Sequence, residues 1–176
     1  RKMSVVLSKQ QGINLRVREL IELGRIPHTG WLGKLREEDH RQVEEAIRAT
    51  HLQDFTARFF DQLSDGEKQR VMFARALAQD TPIILLDEPT AHLDIPNKVE
   101  MMLLLQRLAH QTQKAIVLST HDLQVALDIA DKIWLMSAQE SIEVGWPEEL
   151  VLSGAFQQAF ARDGFLFDNT TGLFTV

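Results

Sequence analysis

The 176-residue sequence contains no cysteine. That excludes a disulfide scaffold and any metal site built on thiolates, and it fits a reducing compartment. No apolar run approaches the roughly 18 residues that a spanning helix requires, so a membrane role would have to come through a partner. There is no basic surplus either: 19 Lys and Arg stand against 25 Asp and Glu, a formal net charge of −6. Such a balance gives no field that draws in nucleic acid or an anionic membrane surface. The six histidines, at 28, 40, 51, 92, 110 and 121, lack the paired spacing of a metal site, which argues against a metalloenzyme. Internal repeats, low-complexity stretches and heptad runs are also missing.

What is present is an ordinary globular composition, 44% hydrophobic and 25% charged. It suffices for one unit with a real core, or two small lobes sharing one. Residues 3–7 (Met-Ser-Val-Val-Leu) form an abrupt β-prone run, like a strand cut from a larger sheet. With Arg1 rather than Met in front of it, the expectation is a piece that has lost its natural N-terminus. Residues 17–23 have helical spacing and stop at Gly24, while Pro27, Gly30 and Gly33 break up the segment through Trp31 and beyond. Residues 37–50 read as a charged amphipathic helix with Val43, Ala46 and Ile47 inward. Residues 52–60 are expected to be helical in part.

A helix is then predicted from Ser64 to about Gln79. Ser64 and Glu67 form a capping box, and the Ser-x-Gly approach leaves amide donors free for an anion. A well-capped surface helix has the same pattern. Residues 82–86 are apolar without alternation, so a short strand buried on both faces is expected. It ends in Asp87-Glu88. Taken alone, that pair is either a solvated strand end or a site where one carboxylate serves a cation and the other polarises a water. Helix 95–110, strand 115–119, helix 123–130 and strand 132–136 come next, an alternation that argues for βαβ units and a parallel sheet. Residues 143–146 are read as turning into a helix at Pro147, residues 155–160 as helix, and residues 164–176 as a hairpin with a polar turn.

Four motifs now stand in order: Leu-Ser-Asp-Gly-Glu-Lys-Gln-Arg at 63–70, the strand ending in Asp87-Glu88, Leu93-Asp94, and Ser-Thr-His-Asp at 119–122. Together they resemble the signature motif, Walker B motif, D-loop and H-loop of an ABC-transporter ATPase subunit. The run Gly24-Arg25-Ile26-Pro27-His28-Thr29-Gly30-Trp31 resembles the subgroup serving ferric-siderophore, haem and cobalamin importers.

The resemblance implies an α/β fold, a partial P-loop NTPase (RecA-like) parallel sheet with helices plus an α-helical ABC subdomain. Residues 1–15 would hold the end of a core strand and the Q-loop region. Residues 16–79 would form the helical subdomain with the signature, and residues 80–176 the C-terminal part of the RecA-like core. It also implies ATP and Mg²⁺ as cofactors. Asp87 would hold Mg²⁺, Glu88 would be the general base, and His121 would reach the γ-phosphate. Ser64, Gly66 and Glu67 would bind the nucleotide held by a second subunit of a head-to-tail homodimer. Asp94 would lie at that interface. Gln10 is the candidate for the Q-loop, with Ser8 the alternative.

The implied parent is an ATPase at the cytoplasmic face of a membrane, docked on transmembrane permease subunits and importing a metal chelate, with no nucleic-acid partner. Trp31 would either face the permease or cap the lobe's own core. The alternatives are a relative of the same ATPase family acting on nucleic acid or ribosomes, and a non-catalytic interaction fragment.

Two departures and one absence qualify this. Asp65 occupies a signature position where the family usually has Gly, and it is expected to point away from the phosphate site. After the first strand come Ser8 and Lys9 before any Gln. No Gly-x-x-x-x-Gly-Lys-Ser/Thr occurs; Gly33-Lys34 is a decoy, with His28 five residues before the glycine and Leu35 after the lysine. Without that loop there is no amide cradle and no lysine for the β- and γ-phosphates. The chain alone is therefore expected to be inactive and to bind ATP weakly at best.

Overall fold

Three short β-branched and leucine-rich strands lie side by side in the order β1 (Met3–Val6), β2 (Ile83–Leu86), β3 (Ala115–Leu118), all parallel. The computed structural model describes residues 2–7, 12–31, 33–136, 142–160, 166–168 and 173–175. The chain divides into two compact units, Arg1–Thr120 and His121–Val176.

In the first unit the register sets Val6 opposite Leu86 and Leu86 opposite Leu118. Ser4, Val6, Ile84 and Leu86 are buried, whereas Met3, Val5 and Ile83 on the other face are 47%, 54% and 37% exposed. The expectation of a strand buried on both faces is thus corrected. Successive side chains of a strand point to opposite faces, and α3 (Asp65–Ala78) covers the Ser4 face, where the Ser4 hydroxyl donates to the Ala76 carbonyl at 3.5 Å. The other face of β1–β2 stays open among the described residues.

The stretch between β1 and β2 is helical: α1 (Val17–Glu22), a 3₁₀ helix (Leu23–His28), α2 (Glu37–Ala49), two further 3₁₀ turns and α3. Helix α2 carries Glu37, Glu38 and Asp39 in its first turn and Arg48 in its last, which complements the helix dipole. Its Val43, Ala46 and Ile47 are buried as spaced, and α1 buries Val17, Leu20 and Ile21. Gly24 does not act as a left-handed helix stop. A Cβ there would lie 2.3 Å from the Arg75 carbonyl oxygen, so the residue is glycine to let the 3₁₀ helix press on α3.

Beside it, buried Arg25 donates from Nε to Asp39 at 2.9 Å and from its guanidinium to the Ala78 carbonyl at 2.8 Å. The amide of Arg36 donates to the other Asp39 oxygen at 2.9 Å. That amide bond holds the Asp39 carboxyl below the ordinary aspartate range; burial opposes it, and the Arg25 guanidinium adds to it. Helix α4 (Ile95–Thr112) runs on from the loop after β2 and ends at Gln113, whose φ of 55° makes it a left-handed cap.

The second unit holds α5 (Leu123–Ile129), β4 (Ile133–Met136), β5 (Ile142–Gly145), α6 (Pro147–Leu152), α7 (Ala155–Phe160), β6 (Leu166–Asp168) and β7 (Leu173–Thr175). Strand β4 is antiparallel to β5, with Ile133 opposite Gly145 and Met136 opposite Ile142. Residues 142–145 are strand, and the expected helix start at Pro147 follows directly as α6, capped by Trp146. Leu135, Leu150, Ala155 and Phe156 form the buried centre of this unit. The expected terminal hairpin is present as antiparallel β6–β7, its turn lying outside the described residues.

Candidate active site

The parallel ladder runs one residue past the strands. The amide of Asp87 donates to the Val6 carbonyl at 2.9 Å, and the amide of Ser119 donates to the Leu86 carbonyl at 3.0 Å. Asp87 and Ser119 therefore emerge side by side at the carboxyl edge of the sheet, where ligands of open α/β sheets bind. The Ser119 hydroxyl donates to Asp87 Oδ1 at 3.0 Å and accepts from the Glu88 amide at 2.9 Å. Glu88 sits in the left-handed region at φ 45°, a conformation that costs a non-glycine residue about 1–2 kcal/mol. Asp87 is exposed and Glu88 half-buried.

Two tight turns lead on to α4. The amide of Ala91 donates to the Glu88 carbonyl at 3.0 Å, that of Leu93 donates to the Thr90 carbonyl at 3.3 Å, and His92 is again left-handed at φ 68°. Buried Thr90 and Leu93 pin this loop to the core. It ends at Asp94, the N-cap of α4, which accepts from the Asn97 amide at 3.1 Å and from Asn97 Nδ2 at 2.6 Å.

A second group gathers at the start of α3. Ser64 caps the helix, accepting from the Glu67 amide at 3.4 Å, while Glu67 accepts from the Ser64 amide at 2.7 Å and its hydroxyl at 2.8 Å. Partial burial pushes the Glu67 carboxyl up, but the Ser64 donors and the charges of Arg58 and Arg70 outweigh it and hold the group below the ordinary glutamate range. A Cβ on Gly66 would meet Asn97 at 3.6 Å and Leu93 at 3.9 Å, so the helix start abuts the Leu93–Asp94 turn of the same chain. Arg70 and Glu100, 3.1 Å apart, tie α3 to α4. Asp65 is exposed, with Lys68 at 4.0 Å.

The structure thus places Asp87 with Glu88, and Ser64, Gly66 and Glu67 next to the turn that carries Asp94. His121 is exposed and opens the second unit. Gln10 and Ser8 lie outside the described residues. Trp31 is 95% exposed, so it does not cap a core in this chain. The sequence reading missed Ser119 and Asn97 as individual residues. Asn97 was legible as the third helical position after an Asp N-cap; Ser119 was not, because its partners are 31 and 32 positions away.

Among the described residues no cluster of three or more His, Cys, Asp or Glu could cage a metal. An oriented, exposed carboxylate such as Asp87 fits Mg²⁺ instead, which binds through one or two protein carboxylates and completes its shell with water and phosphate oxygens.

The fold is that of ABC cassettes, of the P-loop NTPase class. A family model described as ABC transporter matches residues 1–91, and the chain belongs to that family. It is 39% identical over 152 residues to an uncharacterized ABC transporter ATP-binding protein of Methanocaldococcus jannaschii, covering 86% of this chain and 52% of that one. It is 37% identical over 158 residues to the petrobactin import ATP-binding protein FpuC of Bacillus anthracis, covering 90% of this chain and 58% of that one. An ABC transporter provisionally assigned to the metal-chelate type, solved in an inward-facing conformation, superposes with a TM-score of 0.82 at 27% identity, over 90% of this chain and 63% of that one. The chain spans about half the length of the curated relatives it matches.

Proposed function

We propose that the chain is the water-activating and partner-contacting part of the ATP-hydrolysing subunit of an importer for a metal chelate, such as an iron–siderophore, haem or cobalamin. The observation that carries this reading is the Asp87-Glu88 pair at the carboxyl edge of β2, with Ser119 bonded to both residues. When bound, Mg²⁺ neutralises phosphate charge, and Asp87 is the residue that would hold it. Glu88 accepts a proton from the attacking water. Ser64, Gly66 and Glu67, at the capped start of α3, meet the γ-phosphate of a nucleotide bound by a second copy. Asp94 lies at the seam between copies, Gln10 serves the Q-loop, and His121 orients the phosphate.

Residues 16–79 form the lobe that docks on a permease at the cytoplasmic face of a membrane; exposed Trp31 and Ile26 on this stretch supply apolar contact area. Among the described residues no helix is long and apolar enough to cross a membrane itself. The chelate assignment is supported by the petrobactin import relative and the solved metal-chelate type transporter.

The test is nucleotide turnover by the complete subunit, with its phosphate-binding loop, against the 176-residue chain alone. We expect Mg²⁺-dependent ATP hydrolysis from the former and none from the latter. Robust hydrolysis by the 176-residue chain would sink the division of labour proposed here.

A further inference from the structure

We infer that Ser119 is a positioning residue for hydrolysis, setting the Mg²⁺-binding carboxylate and the general base with one hydroxyl. A serine hydroxyl has one proton to donate and lone pairs to accept. Here the donor is used on Asp87 Oδ1 at 3.0 Å, and an acceptor is used by the Glu88 amide at 2.9 Å. The two bonds do different things. The first leaves Asp87 with one oxygen occupied and the carboxylate plane oriented. The second is made to the backbone of the residue whose φ is 45°. Glu88 carries a Cβ, so that conformation is held only by outside partners, and Ser119 supplies one from the neighbouring strand. The backbone that carries the hydroxyl is itself fixed, because the Ser119 amide is bonded to the Leu86 carbonyl at 3.0 Å as the last rung between β2 and β3.

This arrangement links the two carboxylates mechanically. Any turn of Ser119 moves the orientation of Asp87 and the backbone of Glu88 together. Groups that orient metal-binding carboxylates typically matter by about 10- to 100-fold in metal affinity or activity. Ser119 touches neither nucleotide nor water in this role; it acts through its two neighbours. The inference rests on the assignment of Asp87 and Glu88 proposed above.

The experiment uses the complete subunit carrying Ser119→Ala, Ser119→Thr and, separately, Glu88→Gln. For Ser119→Ala we expect kcat to fall by about 10-fold or more and the half-saturating Mg²⁺ concentration to rise, with KM for ATP held within about twofold. Ser119→Thr, which keeps the hydroxyl on a side chain suited to a strand end, restores most of both. Amide hydrogen exchange at Glu88, followed by NMR without nucleotide, accelerates in Ser119→Ala and recovers in Ser119→Thr. Ser119→Ala with wild-type kcat, Mg²⁺ dependence and Glu88 exchange overturns the inference. If Glu88→Gln hydrolyses ATP at the wild-type rate, the assignment of the base fails instead. In that case Glu88 exchange decides the Ser119 link: unchanged exchange in Ser119→Ala overturns it, and accelerated exchange upholds it.

Discussion

The two ends of helix α3 use the same chemistry for opposite purposes. At the C-terminal end, Arg25 and His28 reach the last carbonyls, Ala78 at 2.8 Å and Gln79 at 2.8 Å, and Arg25 is buried with Asp39. A cation at a helix C-terminus also complements its dipole. At the N-terminal end, Ser64 and Glu67 cap one another while Ser64 and Asp65 remain exposed. The buried end locks α3 to the rest of the helical stretch. At the exposed end the Ser64 and Glu67 amides are taken up by each other's side chains, which leaves the first-turn amides of Asp65 and Gly66, without intrahelical carbonyl partners, for an anion. Polar groups here stabilise the fold where they are buried, and lie within reach of a ligand where they are exposed.

Breaking the buried end should have the largest effect on stability. Arg25→Ala leaves Asp39 as an uncompensated buried charge, and we expect a loss of about 3–5 kcal/mol in urea unfolding. Gly24→Ala forces a methyl against the Arg75 carbonyl, and an overpacking cost of about 1–3 kcal/mol should appear in the same measurement. At the exposed end, Ser64→Ala removes the N-cap and should cost only about 1 kcal/mol of stability. Its effect on ATP turnover by the complete subunit should be disproportionately larger, which would separate the two ends cleanly.

Acid sharpens the comparison further. Asp39, Asp80 and Glu67 all have folded-state pKa values below their ordinary ranges: Asp39 first through the Arg36 amide, Asp80 through the hydrogen bond from Lys114, and Glu67 against its own desolvation through Ser64. Groups lowered in this way stabilise the fold at neutral pH. That contribution is lost as pH falls below about 4 and through their folded values. Arg25→Ala should flatten the acid limb of a stability–pH curve, and a mutant curve parallel to wild type would contradict the pairing. The smallest effect expected is that of Asp65→Gly. With Asp65 exposed and Lys68 nearby, turnover should change less than several-fold; a larger gain would show that the acid interferes.

Much of the fold was legible because it is local. Helix α2 spans Glu37–Ala49 where residues 37–50 were expected, and α3 spans Asp65–Ala78 behind its Ser64 cap. What escaped the sequence is set by partners far along the chain. Ile83 is exposed because of which face α3 covers, and β4 is antiparallel because residue 133 meets residue 145. Gly24 has the look of a helix stop in sequence, whereas its contact with Arg75 is the reason it is glycine. At the candidate site, the residue types were legible and the joint was not. Asp87 and Glu88 are adjacent in sequence, but the hydroxyl bonded to both comes from the next strand.

The central claim is that the edge of β2 is a hydrolytic one, and it is tested most directly by single-site turnover of the complete subunit with Glu88→Gln. We predict ATP binding at wild-type strength and hydrolysis reduced by about 100-fold or more, the scale of a lost general base. Hydrolysis by Glu88→Gln at the wild-type rate would contradict it.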